Sequence, residues 1–347
     1  MGRPKVALVG VGSVGGTVAA ALHHADRCDL TLIARGETLS KLQQEGLTVR
    51  QPFRDDGSSV EYHCMLPCIS SSSTHELGPQ DFLFVVTKAH HFPALLDSLL
   101  PLVGPGTAVV PCMNGIPFWY NYFHAPADPA GFIASVDPDG RLWELVGPEN
   151  AIGAVVKVGG HVAAPGVTVQ AGPGTLEFGE PDGSDSARLG QLVDLFGNPR
   201  SAASPAILLN VVKRAAIREA MWDKLVFNVV GNVLTTLTQS TNGDAAADPL
   251  LRHIHSLMVD EVATLCAGLS PPIQLRVTAE KYLSAMEGSD HKASTLQDLL
   301  AGRPFEKDAL VTAVQEVARS AGVATPYIDF AGALLQALER NAVLAKL

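Results

Sequence analysis

The residues with the most chemical content sit on one apolar helix and in one glycine-rich turn. Lys224, Asn228 and Asn232 follow Trp222 at i, i+4, i+8 spacing, so on a helix they stack along one face with a drift of about 40° per step. Leu225, Val226, Phe227, Val229, Val230, Val233 and Leu234 cover much of the remaining circumference. Such a stripe reads either as the solvated face of an amphipathic helix or as the polar wall of a cleft. Solvated stripes favour Glu, Lys, Arg and Gln, whereas Asn is a poor helix former. Two asparagines and a lysine in so apolar a setting therefore suit a cleft that holds a hydrogen-bonding ligand.

Gly10-Val11-Gly12-Ser13-Val14-Gly15 follows an apolar run and opens an Ala-rich helix. Gly10 permits a tight turn, Gly12 lets the backbone approach a pyrophosphate, and Gly15, with Gly16 and Ala19, lets the helix lie close on a sheet. The helix N-terminus then offers free N–H groups to the phosphates. The next strand, Thr31-Leu32-Ile33-Ala34, ends in Arg35-Gly36, twenty residues past Gly15. An acid there would accept from a ribose 2′-OH, whereas an arginine offers a planar cationic fork to a 2′-phosphate. NADP(H) is the expected cofactor.

Other candidates carry two readings each. Glu306 lies soon after Gly302-Arg303-Pro304 in what the sequence places as a first helical turn, where a carboxylate complements the helix dipole without any further role. Ser294 and Asn242 are typical turn or cap residues. Lys88 and Asn114-Gly115 lie just beyond two expected strands, where open α/β sheets bind ligands, though a simple turn explains Asn114-Gly115 equally well.

The elements that must position these residues differ between the two halves. Lys5–Gly10, Leu30–Ala34, Phe82–Val86 and Thr107–Pro111 are continuously apolar, as in buried parallel strands, with room between them for crossover helices. Val167-Thr168-Val169 and Leu176-Glu177-Phe178 belong to further strands, expected to be antiparallel. Glu219–Thr238, Leu250–Gly268, Ile273–Met286, Pro304–Ser320 and Tyr327–Ala345 show helical spacing, with Pro304 suited to a first turn and Gly322 to a C-terminal cap. The boundary falls near 205–213, after a turn region Ser201–Pro205 and a strand Ile207–Val212. This divides the chain into an α/β N-terminal domain, 1–210, and an all-α C-terminal domain, 211–347. Between them in character, about 117–150 reads as an inserted β-hairpin, Phe132–Val136 and Leu142–Val146 around Asp137-Pro138-Asp139-Gly140. It is either a surface decoration or an overhang on a ligand cleft.

Composition excludes several classes. The 347 residues are 47% hydrophobic and 17% charged, enough apolar material for real cores. A net charge of −10 without a basic tract argues against nucleic-acid binding. No uninterrupted apolar stretch nears the ~20 residues that span a bilayer, and glycines break the run that superficially imitates a signal peptide. An odd five cysteines fit a reducing compartment; Cys64 and Cys68 lack a second ligand pair, and no metal is expected. A cytoplasmic protein follows.

Taken together, the ordered set resembles the ketopantoate reductase family (2-dehydropantoate 2-reductase). It runs from Gly10–Gly15 through Lys88, Asn114-Gly115-Ile116, Trp222-Asp223-Lys224-Leu225 with Asn228 and Asn232, and Asn242-Gly243 to Ser294-Thr295-Leu296-Gln297-Asp298 and Glu306. The resemblance implies a Rossmann-type N-terminal domain and a helical C-terminal domain like that of 6-phosphogluconate dehydrogenase, with the active site between them. It implies Lys224 as general acid and Asn228, Asn232, Asn242 and Ser294 as substrate-binding residues. Glu306 is implied as the active-site carboxylate and a cofactor contact, Asn114 as a contact to both ligands, and Arg35 with Lys88 as cationic cofactor contacts. The implied reaction reduces ketopantoate to (R)-pantoate with NADPH, on the route to pantothenate. A positioned ammonium would stabilise the charge that hydride addition builds on the carbonyl oxygen and then protonate it, best if desolvation lowers its pKa. A small-molecule 2-oxo acid is the expected partner, and the apolar helical half leaves room for a homodimer. Met113 departs from the polar residue many relatives carry before Asn114, and the 117–150 segment is longer than in compact members. Another branched 2-oxo acid is thus the first alternative, and a non-catalytic NADP(H) sensor the second.

Overall fold

A computed structural model describes residues 2–51, 59–123, 131–197 and 209–344. The chain divides into two compact units. One comprises residues 1–113 and 141–217, the other 114–140 and 218–347.

The first unit is built on a five-stranded, all-parallel sheet in the order β5-β2-β1-β6-β7. Its strands are β1 (Lys5–Val9), β2 (Asp29–Ala34), β5 (Cys68–Ser70), β6 (Phe82–Val85) and β7 (Ala108–Pro111). β6 and β7 are buried along their whole length, which is why they read as unbroken apolar runs rather than alternating ones. The helices are α1 (Ser13–Ala25), α2 (Gly36–Glu45), α3 (Phe92–Leu99) and α4 (Ala187–Asp194). Two smaller sheets complete the unit. β3 (Leu47–Gln51), β4 (Val60–Cys64), β9 (Gly160–Ala164) and β10 (Val167–Gln170) form one, in the order β4-β3-β10-β9. β8 (Gly153–Lys157), β11 (Gly174–Gly179) and β12 (Leu209–Lys213) form the other, in the order β12-β11-β8. The antiparallel pairing expected for these later strands occurs in β10 with β9 and β11 with β8, but β10 also pairs parallel to β3 and β11 parallel to β12.

The second unit is helical: α5 (Ile217–Val226), α6 (Val233–Thr238), α7 (Asn242–Ala247), α8 (Pro249–Gly268), α9 (Ala279–Met286), α10 (Ser294–Leu300), α11 (Ala313–Ala321) and α12 (Pro326–Leu344). Gly322 closes α11 in the left-handed conformation at φ 67°, as its position anticipates. No helix among the described residues is long and apolar enough to cross a membrane. The five cysteines are buried, and burial pushes Cys64 and Cys68 up to about 11.

The helix expected over Ile273–Met286 begins only at Ala279; three further expectations need correction, and another falls out of view. No hairpin forms between 131 and 150. Ile133 to Gly140 makes successive tight turns, and Leu142–Val146 is a single wide i→i+5 turn. The buried apolar residues Ile133 and Val136, then Leu142 and Val146, are three and four apart, a helical rather than an alternating period. Nor is the segment an insertion in one domain: residues 114–140 pack with the helical unit, while Arg141 onward joins the sheet unit, whose border lies at Ile217 rather than 210. Phe118, Trp119 and Tyr120 are all buried. Tyr120 accepts a 2.9 Å hydrogen bond from Trp222 Nε1, and the Arg218 guanidinium lies 5.2 Å from the Trp119 ring centroid. Pro304 and Glu306 are not in a first helical turn. Residues 303–306 are irregular and the helix begins beyond them, because Arg303 is tied back to Asp298 and the Phe305 N–H to Glu339. The Ser201–Pro205 turn lies outside the described residues.

Glu177 shows how the third sheet is held. Its buried carboxylate accepts from Lys157 Nζ at 2.7 Å and Arg214 Nε at 2.6 Å. Burial alone would raise its pKa, but these two cations outweigh that and hold it below the ordinary carboxylate value. A depressed folded-state pKa adds stability above the unfolded value and loses it as pH falls through the folded one. Glu177→Gln should therefore cost about 2 kcal/mol at pH 7, since its partners are half-exposed. It should also flatten the acid limb of the stability profile between about pH 5 and 3, as read by urea denaturation at a series of pH values.

Candidate functional site

In the first unit β1 delivers the chain into the glycine turn. Gly10 has φ +95°, and a Cβ there would lie 2.8 Å from Val86 O and Thr87 Cγ2. A Cβ on Gly15 would lie 1.9 Å from Gly10 O, so the turn and the first turn of α1 close on each other only as glycines. A Cβ on Gly12 would meet nothing within 4 Å, leaving backbone that a ligand can approach. Gly12 caps α1 without a side-chain hydrogen bond, and the first turn carries no acid. Val11, Ser13 and Val14 are half-buried around it. These features fit a pyrophosphate.

The sheet register places the neighbouring loops beside this turn. Val9 pairs with Ile33 of β2 and with Val85 of β6; Arg35 follows the first and Lys88 the second. Arg35 is exposed, with extended backbone at the start of α2. Lys88 opens a one-turn 3₁₀ helix, Ala89–His91. Burial lowers the pKa of His91, and the charges of His90, Arg35 and Lys88 lower it further. The ends of β2 and β6 thus share one field of positive charge, suited to an additional phosphate. His90 and His91 lie beside it with ring centroids 4.3 Å apart, His91 favouring its neutral form. Sequence reasoning passed over them, although their place directly after Lys88 was the available signal.

The second unit brings together the other candidates. Lys224 lies in the last turn of α5, and the helix continues not as an α-helix but as wide i→i+5 turns over Phe227–Asn232, then as α6. Lys224 Nζ donates to Asn114 Oδ1 at 2.7 Å. Asn114 Nδ2 in turn donates to Glu306 Oε2 at 3.4 Å. An ammonium can only donate and a carboxylate only accept, so the amide between them has one consistent orientation. Asn114 is held there by its successors. Gly115, at φ +90°, lies so close to Ala309 that a Cβ would be 2.3 Å from its carbonyl oxygen, and Ile116 N–H donates to that same oxygen at 2.9 Å. Glu306 is brought in by the irregular segment that the Asp298–Arg303 pair, 2.9 Å, ties to α10, and its carbonyl accepts the Leu310 N–H. Gly115, Asp298 and Arg303 are supports that composition and spacing alone do not single out.

Asn232, nearly buried, donates to Ser294 Oγ at 3.2 Å. Asn228 is half-buried on the wide turn, and its amide makes no hydrogen bond among the described residues. Asn242 begins α7, whose Thr241–Asp244 capping box fixes the entry, and its N–H donates to His291 O at 3.0 Å. Asn242 and Ser294 are thus anchored, through His291, to the same loop before α10. No group of three or more potential metal ligands occurs among the described residues.

The family model for ketopantoate reductase PanE/ApbA matches residues 6–183, and that for its C-terminal domain matches residues 216–339. The chain belongs to the ketopantoate reductase family. A 2-dehydropantoate 2-reductase of Mesorhizobium japonicum is 35% identical, over 96% of this chain and 97% of that one. A candidate ketopantoate reductase from Ralstonia solanacearum has the same fold, with TM-score 0.85 at 29% identity over 98% and 99% of the two chains. A D-mandelate dehydrogenase solved with NADH and anilino(oxo)acetate matches with TM-score 0.77 at 21% identity over 97% and 99%, a likeness of fold alone. The family fold is a Rossmann-type unit with a helical C-terminal unit, and this ketopantoate reductase family member is an oxidoreductase. Gly115→Ala should lower its turnover by about tenfold or more by displacing Asn114, as read in steady-state assays.

Proposed function

We propose that the protein reduces a 2-oxo acid to its 2-hydroxy acid with NADPH, with ketopantoate as substrate, (R)-pantoate as product and pantothenate biosynthesis as its setting. The observation that carries this reading is the hydrogen-bond chain from Lys224 through Asn114 to Glu306. It holds an ammonium at a defined place on a face otherwise made of neutral amides.

NADPH, when bound, supplies the hydride that adds to C2 of the acid. Gly10, Val11, Gly12, Ser13, Val14 and Gly15 would hold its pyrophosphate, and Arg35 and Lys88 its 2′-phosphate. Lys224 stabilises the negative charge growing on the carbonyl oxygen and then transfers its Nζ proton there, taking another from solvent after product leaves. Asn114 fixes where Nζ points, and Glu306 fixes which way the Asn114 amide is turned. Both would also contact ligands, as the family pattern implies. Asn228, Asn232, Asn242 and Ser294 bind the substrate by hydrogen bonds that add no competing charge. The homodimer belongs to the same reading, with Tyr327, Phe330 and Leu334 exposed along α12 as its surface.

The test is oxidation of NADPH and of NADH against a panel of branched and aryl 2-oxo acids. Preference for ketopantoate with NADPH is expected. A better branched or aryl acid would reassign the substrate, and cofactor binding without turnover on any acid would make the protein a sensor. Lys224→Ala should lower kcat by ~10²-fold or more. Arg35→Asp should weaken NADPH far more than NADH; equal weakening of both would contradict the 2′-phosphate role.

A further inference from the structure

The helix that carries Lys224 changes its winding just where its two asparagines lie. Four residues of α-helix turn through more than a full circle, a drift of about 40°. The wide turns over Phe227–Asn232 hold more residues each, so the step from Asn228 to Asn232 falls short of a full circle and drifts back. A straight α-helix would let the three side chains spiral away from one another. The wide turns bring Asn232 back toward the line of Lys224.

A wide turn is an uncommon winding that needs support, and the support here comes from α9 and α8. Tyr282 is fully buried. Its ring centroid lies 5.0 Å from that of Phe227, where the wide turns begin. Its hydroxyl fills the space beside Gly231, where a Cβ would come within 2.9 Å of it. The same hydroxyl meets His255 Nδ1 at 2.9 Å, and the two rings stack with centroids 5.6 Å apart. His255 is fully buried as well, and its Nε2 has no hydrogen-bond partner among the described residues. Burial pushes its pKa down to about 4, so the imidazole is neutral at working pH and the pair adds no charge to the helix. An orphaned polar atom in a core is a cost that an apolar pair would avoid.

We propose that Tyr282, braced by His255, is a positioning residue for the Lys224–Asn228–Asn232 face: its hydroxyl and ring hold the wide turns of Phe227–Asn232 that set both asparagines relative to the lysine. It touches none of the three polar side chains in the contacts seen, and acts through Gly231 and Phe227. For its kinetic arm the inference rests on the 2-oxo-acid reductase reading; its structural arm does not.

The experiment compares Tyr282→Phe, which removes only the hydroxyl, with Gly231→Ala, which crowds it, and with the double variant, which removes the crowding oxygen. Each is read by amide hydrogen exchange over 227–232, by kcat and KM for the 2-oxo acid, and by the Kd of NADPH. Tyr282→Phe is expected to speed exchange in 227–232 selectively, and to raise KM and lower kcat by about tenfold combined, with the NADPH Kd unchanged. Gly231→Ala should do more harm, and the double variant should recover part of it. Wild-type exchange over 227–232 in Tyr282→Phe overturns the proposal, as does unaltered kcat and KM beside a merely lower melting temperature. Should the wild type turn over no 2-oxo acid, the reductase reading falls, and the exchange measurement alone decides this one.

Discussion

A single neutral amide sits between opposite charges in the helical unit, and the candidate chemistry depends on it. Asn114 accepts from the Lys224 ammonium and donates toward the Glu306 carboxylate. The interposed amide gives one of the ammonium's three protons a fixed direction. What surrounds the amide serves this arrangement. Gly115 allows the approach to Ala309 that fixes Asn114, the Asp298–Arg303 pair holds the segment that presents Glu306, and the wide turns after Lys224 set the asparagines beside it.

The sheet unit poses a different physical problem, the binding of concentrated negative charge. It is met mostly by backbone. The glycine turn and the free N-terminus of α1 provide N–H groups without a formal charge, and the register of β1 with β2 and β6 brings two short loops to its flanks. Those loops carry the cations Arg35 and Lys88. Net charge is −10 for the whole chain, so this local positive field is a property of the site and not of the surface at large.

Much of this was legible in the sequence, and the failures have specific causes. β1, β2, β6 and β7 lie within a residue of their expected bounds because parallel strands buried on both faces leave continuous apolar runs. The glycine turn was legible because each glycine answers a distinct steric demand. Asn114, Lys224 and Glu306 were each visible as a residue type at a suggestive place, but each also had a sufficient local explanation as turn, stripe or cap. Only their convergence distinguishes the readings, and convergence of positions 110 and 192 residues apart in sequence is a tertiary fact. The expected hairpin at 132–146 failed because Asp137-Pro138-Asp139-Gly140 is a strong turn signal whatever it connects, while the apolar spacing around it was helical. The wide turns at Phe227–Asn232 leave no mark in composition, since an inserted half-step of winding changes facing directions and not residue types.

The most direct measurement is a structure of the protein with NADP⁺ and a non-reactive analogue of its 2-oxo acid. The account predicts Lys224 Nζ within about 2.6–3.2 Å of the oxygen that stands for the reacting carbonyl, with Asn114 Oδ1 still its second acceptor. Lys224 turned away from that oxygen, or a different proton donor in its place, would contradict it.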